Sequence, residues 1–267
     1  MRASLDEISF LARSAHRVGV LDALSERPCS RDDLRAATGA SSPTMGRVLA
    51  DFEARQWVVR DGPTYELTRL GAFVAERFTG LRKAMATERK LRDVLPWLPG
   101  EMDGFRVELF ADAVVSFPGP NYPYQPVERV TQLIEGTEVM RGFGTTVVKS
   151  SNLEAACRSI IEGMEFEFIY SPGVLETIVA WNPTRIAETN ACENCTTLLH
   201  DALPDSDWCG IGIYDDRVGI CCHDPETGVL QAVVDTDTPE AREWAEAVYE
   251  RYRAEARPLD AEESLPR

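Results

Sequence analysis

Apolar residues recur at helical spacing from the start of the chain. Ile8, Leu11, Ala12, Ala15, Val18 and Leu21 share one face and predict a single helix over residues 5–24, stopped by Pro28. Ser30 followed by Asp33 has the form of a capping box, with Asp in place of the usual Glu, and opens a short helix over 31–37 that turns Leu34 and Ala37 inward. Thr38-Gly39-Ala40 makes a turn. Ser42 is then placed to cap, and Pro43 to open, a helix to about residue 55 whose buried stripe is Met45, Val48, Leu49 and Phe52. Residues 57–60 are a β-run, Asp61-Gly62 a tight turn and 64–67 the returning strand. Thr68 caps a long helix that reaches about residue 95 and is ended by Pro96 and Pro99.

Beyond Pro99 shorter apolar runs alternate with helical stretches. Strands are expected at 110–117, 140–148, 165–169, 208–214, 217–222 and 229–234, and helices near 126–135, 152–162, 173–181 and 239–256. Gly119 to Pro126 reads as a rigid loop, and Asp215-Asp216-Arg217-Val218 as a turn between two strands. The expected fold is an α+β winged helix-turn-helix domain over 1–95, followed by an α/β effector domain over 100–257 and a disordered tail over 258–267.

Charge sharpens this division. The whole chain carries a formal −16, which by itself argues against nucleic acid as a partner. The average hides two unlike segments: sixteen basic against thirteen acidic residues up to Leu95, and twelve against thirty-one beyond it. Only Lys83, Lys90 and Lys149 are lysines. An acidic, lysine-poor surface suits a salt-adapted cytoplasm, where the Debye length falls to about 3 Å at 1 M ionic strength. Codon bias toward Arg is the alternative, and it leaves the acidic excess unexplained. No apolar run approaches the ~20 residues of a membrane span, and the N-terminus lacks the apolar core of a signal peptide, so a cytoplasmic protein without a membrane partner is expected.

The N-terminal end of the helix after Thr38-Gly39-Ala40 presents Ala40, Ser41, Ser42, Thr44 and Arg47, residue types that reach base edges and phosphates from a recognition helix in the major groove. Arg31, Arg60, Tyr65 and Arg69 complete the candidate DNA contacts, and Arg35 adds to the basic supply. Residues 1–95 resemble the winged-helix domain of archaeal ArsR-like and MarR-like regulators. The resemblance is carried by Ser30-Arg31-Asp32-Asp33-Leu34, by Gln56-Trp57-Val58 and by Tyr65-Glu66-Leu67-Thr68-Arg69-Leu70-Gly71. The rest is similar to the effector domain of archaeal regulators related to a methanogenesis regulatory protein, on Pro126-Val127-Glu128-Arg129, Tyr214-Asp215-Asp216-Arg217-Val218-Gly219 and Glu240-Ala241-Arg242-Glu243-Trp244-Ala245 through Tyr249-Glu250-Arg251-Tyr252. That resemblance implies a haloarchaeal transcription regulator. Such domains are also similar to the phospholipase D fold, whose activity needs His and Lys two residues apart. The three histidines, His16, His200 and His223, have no such partner, since Lys149 is the one lysine of the acidic segment. No glycine-rich phosphate loop or nucleophile elbow occurs either, so no enzyme is expected.

Five of seven cysteines, Cys192, Cys195, Cys209, Cys221 and Cys222, crowd into one stretch with His200 and His223. Cys192-x-x-Cys195 has the spacing of a metal or disulfide couple in a loop or frayed helix, and Cys221 with His223 supplies a candidate second pair for Zn or another thiophilic metal. Strand alternation puts Cys221 and His223 on one face and Cys222 on the other. The alternative is that these thiols, like Cys157, pack as small hydrophobes. The neighbouring Asp201, Asp205 and Asp207 read as solvated surface. Together these readings describe a homodimeric regulator of double-stranded operator DNA, sensing a metal ion or oxidant. A winged-helix scaffold for protein contacts, or a regulator of a small organic metabolite with structural cysteines, is the alternative.

Overall fold

A break in the first predicted helix sets the phase of the N-terminal unit. In the computed structural model, which describes residues 2–203, 209–224 and 226–259, two helices replace the expected one: α1 (Arg2–Ala12) and α2 (Ala15–Glu26). Ser14 sits between them in extended backbone and its hydroxyl accepts from the Arg17 amide, which caps α2. The new start rotates the face, so Leu11 and Leu21 are buried while Ile8, Ala12 and Ala15 are exposed. Phe10 lies between two guanidinium groups, those of Arg17 and Arg55, each 3.7 Å from its ring centre.

A two-residue strand absent from the sequence reading, β1 (Cys29–Ser30), leads into α3 (Arg31–Thr38). The capping box forms as read: the Asp33 amide donates to the Ser30 hydroxyl and the Asp33 carboxylate accepts from the Ser30 amide. Leu34 is buried, but Ala37 is exposed, which corrects its inward assignment. Gly39 ends α3 in the left-handed region (φ 67°), and Ala40, expected near the exposed surface, is buried. Helix α4 (Ser42–Ala54) buries Met45, Val48, Leu49 and Phe52 as expected. Its cap is Ser41 rather than Ser42, so Pro43 occupies the second helical position. Strands β2 (Val58–Asp61) and β3 (Thr64–Leu67) form the hairpin, and β1 pairs with the outer edge of β3. Helix α5 (Arg69–Leu91) follows, four residues shorter than expected, and Leu95–Trp97 is a separate 3-10 turn. At Gly71 an added Cβ would sit 1.9 Å from the Trp57 carbonyl oxygen, so only glycine lets α5 approach the hairpin here.

The division into two compact units falls inside α5, between Ala86 and Thr87, instead of after it. The second unit is built on one mixed eight-stranded sheet. Its strands are β4 (Val114–Ser116), β5 (Val139–Gly144), β6 (Glu165–Tyr170), β7 (Cys195–Leu199), β8 (Cys209–Ile213), β9 (Val218–His223), β10 (Leu230–Thr236) and β11 (Arg257–Pro258). Across the sheet the order is β11-β7-β6-β5-β8-β9-β10-β4, with β5, β6 and β7 parallel and the other pairs antiparallel. Helices α6 (Gln125–Glu135) and α7 (Ser150–Ile161) cover one face. Packed against α7 are α8 (Pro172–Trp181) and α9 (Pro183–Asn190). The long α10 (Pro239–Glu255) covers the other face through Ala241, Trp244, Ala245, Val248 and Tyr249.

Several expectations change here. Residues 107–110 form a 3-10 turn in place of the start of a strand, the segment expected as a loop or frayed helix around Cys192 and Cys195 follows α9 and enters a strand, β7, at Cys195, and Pro258 pairs in β11. The described chain therefore passes the expected start of the tail; residues 260–267, with Asp205, Asp207 and Trp208, lie outside the described residues. Fully buried Asp235 on β10 is held by Arg129 from α6, through Nε at 2.9 Å and Nη2 at 2.6 Å, and by Arg217 Nε at 2.6 Å. Two of the motifs that carried the effector-domain resemblance thus supply the two arginines of one buried ionic clamp. In the same turn Asp215 accepts from the Glu138 and Val139 amides, which holds its carboxyl below the usual range although burial opposes this.

Candidate nucleic-acid interface and the cysteine-bearing segment

The buried stripe of α4 fixes which residues it leaves outside. Ser41, Ser42, Pro43 and Arg47 are exposed and Thr44 is half-exposed. The Ser41 hydroxyl lies 2.9 Å from Thr44 Oγ1 and accepts from the Thr44 amide, so these two complete the cap while one hydroxyl proton of the pair stays free to donate. Arg31 reaches across from α3: its Nη2 donates to the Ser42 carbonyl at 2.7 Å and lies on Gly46, where a Cβ would be 2.9 Å away. Arg31 braces the N-terminal turn of α4 in addition to lending it charge. His16 braces the turn before it, donating from Nδ1 to the Thr38 carbonyl at 3.1 Å.

Five arginines of the unit are matched to carboxylates, Arg17 to Asp51, Arg35 to Asp32, Arg55 to Glu7, Arg77 to Glu76 and Arg82 to Asp22, while Arg13, Arg27 and Arg31 form no ion pair among the described residues. Arg47, Arg60 and Arg69 form no ion pair among the described residues, and all three are exposed. Arg60 projects from the hairpin with its Nε on the Gly62 carbonyl at 3.0 Å and its guanidinium 5.9 Å from the Tyr65 ring centre. Tyr65, directly opposite Arg60 in the register, is half-buried against the core and supports the hairpin. Arg69 is the first residue of α5, where a positive charge opposes the helix dipole, so its place there is not explained by helix stability.

The two candidate metal pairs are not brought together. Cys195 opens β7, while Cys221 and His223 lie on β9, with β6, β5 and β8 between. Four strand spacings of about 4.8 Å amount to roughly 19 Å, far beyond any shared coordination sphere. Among the described residues no group of three or more His, Cys, Asp or Glu side chains is placed to hold a metal ion. Cys192 Sγ contacts the Glu188 carbonyl at 3.5 Å, and Cys195 is half-buried with its thiol pushed up to about 11 by burial, with Cys192 and Cys157 also raising it. Alternation on β9 holds: Cys221 packs on the α6–α7 face and Cys222 is buried on the α10 face.

No helix among the described residues is long and apolar enough to cross a membrane. Two domain families match the chain. Residues 5–90 match the HVO_A0261 N-terminal domain, and residues 123–255 match the middle domain of the methanogenesis regulatory protein FilR1. Among solved structures the chain is similar to TrmBL2, an archaeal chromatin protein whose structure shows a novel mode of DNA binding, at 13% identity over 94% of this chain and 98% of that one, with a TM-score of 0.43. It is also similar to Nuc, a phospholipase D family member from Salmonella typhimurium, at 12% identity over 56% of this chain and 98% of that one, with a TM-score of 0.45. No curated protein matches the chain. The match of residues 123–255 to a domain of a methanogenesis regulatory protein, following the HVO_A0261 N-terminal match, supports a regulator.

Proposed function

We propose that the protein is a transcription regulator whose N-terminal unit is a winged helix that binds double-stranded operator DNA, with α4 as recognition helix, the β2–β3 hairpin as wing, and the second unit as effector-sensing domain. The observation that carries the reading is the charge left over after internal pairing. Five arginines of the unit are paired with carboxylates and Arg31 is held on the Ser42 carbonyl, while Arg47 on the exposed side of α4, Arg60 at the hairpin and Arg69 beside it, like Arg13 and Arg27 elsewhere, have no carboxylate partner among the described residues. Phosphates are the partners such groups fit.

A homodimer follows from the same reading, because one recognition helix reads a half-site. Supporting it, α5 exposes Leu70, Phe73, Leu81 and Met85 at spacings that share one helical face. A salt-adapted cytoplasm would weaken the counterion-release contribution, so base and shape contacts carry more of the affinity. The alternative sensor is a two-thiol couple of Cys192 and Cys195 for an oxidant or a thiophilic metal. The raised Cys195 thiol makes it a slow nucleophile and favours a packing role over redox sensing. Footprinting on the region upstream of its own gene in molar KCl tests the proposal. An imperfect inverted repeat protected at two half-sites supports it; protection no better than on scrambled DNA overturns it.

A further inference from the structure

The face of the second unit under α6 and α7 encloses a cavity of about 70 Å³ between these helices and strands β5, β6, β8 and β9. Its floor arises from a sequence pattern that carries no chemistry of its own. Gly142-Phe143-Gly144 on β5 faces Gly210-Ile211-Gly212 on β8 in register, Gly142 opposite Gly212 and Gly144 opposite Gly210. Strand alternation sends Phe143 and Ile211 into the α10 core, so the glycines share the other face. The rings of Phe168 and Tyr214 fill part of the room: a Cβ at Gly142 would meet Phe168 at 2.8 Å, and one at Gly212 would meet the Tyr214 hydroxyl at 2.6 Å. Gly144 and Gly210 stay open, with no atom closer than 3.4 Å and 3.6 Å to the Cβ positions.

Polar groups converge on this apolar space. Asn152 is 1% exposed and donates from Nδ2 to the Val127 carbonyl at 2.8 Å and to Thr131 Oγ1 at 2.9 Å. Both its donors are thereby used, and the acceptor-only Val127 carbonyl fixes which way the amide points. Its Oδ1 is buried with no hydrogen-bond partner, a state that native proteins avoid. His223 Nδ1 lies 3.2 Å from the Cys221 carbonyl, so the proton is on Nδ1 and Nε2 is a bare acceptor. Burial pushes the His223 pKa down to about 4 and the Cys221 thiol up to about 12, and it raises both Tyr170 and Tyr214. Among the described residues, every titratable group lining the cavity is therefore neutral near pH 7, and no Asp, Glu, Lys or Arg lines it.

We infer that this cavity is the effector site, built for a small uncharged organic molecule with N–H or O–H donors, a primary amide or short hydroxylated compound, that donates to Asn152 Oδ1 and His223 Nε2 beside the Phe168 and Tyr170 rings. That the site senses an effector rests on the regulator reading above; that it binds such a molecule does not, and the test uses the full chain without DNA. The volume is about half that of an engineered cavity of roughly 150 Å³ that admits benzene, which sets the ligand size near that of acetamide or propanol. An anion or cation is excluded, since it would enter without a counter-charge.

Acetamide is the probe and acetate its charged counterpart of the same shape. Saturation-transfer NMR on the full chain is expected to show transfer to acetamide and none to acetate. Gly210→Ala places a methyl group in the space without touching an atom closer than 3.6 Å, and His223→Phe keeps the ring but loses Nε2. Each, shown folded by circular dichroism, is expected to weaken acetamide binding at least tenfold. Equal transfer to acetate, binding unchanged in the folded variants, or no transfer to acetamide and propanol alike would overturn the inference. Should one variant not fold, the other and the acetamide–acetate contrast still decide it.

Discussion

Replacing Asp235 with Asn should destabilise the second unit more than any surface charge change, because the carboxylate is fully buried while both arginines are mostly covered. Asp235 receives three charge-assisted bonds at 2.6–2.9 Å from Arg129 and Arg217, whose side chains are 24% and 21% exposed. Bonds to charged groups contribute roughly 1.5–3 kcal/mol each. Asn keeps one acceptor but turns an NH2 toward a guanidinium donor, and it leaves Arg129 without a counter-charge and Arg217 with only the exposed Asp237. Partial rehydration of the arginines offsets part of the loss, so the net cost is about 3–4 kcal/mol, within the range for breaking a buried pair. With a urea slope of roughly 2 kcal/mol/M, the midpoint should fall by about 1.5–2 M, read by fluorescence of Trp97, Trp181 and Trp244. Asp237→Asn is the control: Asp237 is 65% exposed and 3.5 Å from the same Arg217, so its loss should stay near about 0.5 kcal/mol. The Asp235 effect should also persist from 0.2 to 2 M KCl, as screening barely reaches a buried pair. A loss under about 1 kcal/mol, or one matched by Asp237→Asn, would refute the assignment of the clamp.

Arg47→Ala is expected to cost roughly 1–3 kcal/mol of operator affinity and relax sequence preference, while Arg60→Ala weakens all DNA alike; gel shift on operator and scrambled duplexes separates the two. Phe73→Asp should shift the full chain from dimer to monomer by sedimentation, and an unchanged sedimentation coefficient would remove α5 as the pairing surface. Gly71→Ala forces a carbon into the Trp57 carbonyl and should lower the midpoint followed by Trp57 fluorescence, with the other tryptophans little affected. His223, held near 4 in the folded state against about 6.5 unfolded, is neutral in both states above pH 6.5, so its burial is free of protonation cost there. As pH falls, the unfolded state gains the proton first, and stability drops until the folded pKa is passed. The loss attributable to His223 is about 2 kcal/mol at pH 5, measured as the difference between the native chain and His223→Phe in urea titrations at pH 7 and pH 5.

What the sequence determined by itself is local. The Ser30–Asp33 capping box, the Met45–Val48–Leu49–Phe52 stripe, the hairpin around Gly62 and the opposite faces of Cys221 and Cys222 follow from spacing and backbone chemistry, which act within a few residues and survive in the fold. The resemblance of the second segment to a methanogenesis regulatory protein was legible for the same reason, since its motifs are contiguous. Tertiary structure decided whatever depended on which segments become neighbours. Strand β7 has a weak pattern of its own, Cys195-Thr196-Thr197-Leu198-Leu199, and becomes a strand by pairing with β6. The sheet order then separates Cys195 from Cys221 by three strands, which spacing in the chain cannot encode. Asp235 reads as one polar residue ending an apolar run, and only the approach of Arg129 and Arg217, 106 and 18 positions away, makes it a buried clamp. The cavity is the same kind of property: the glycines of β5 and β8 are unremarked singly, and room for a ligand appears only where register aligns them beneath α6 and α7.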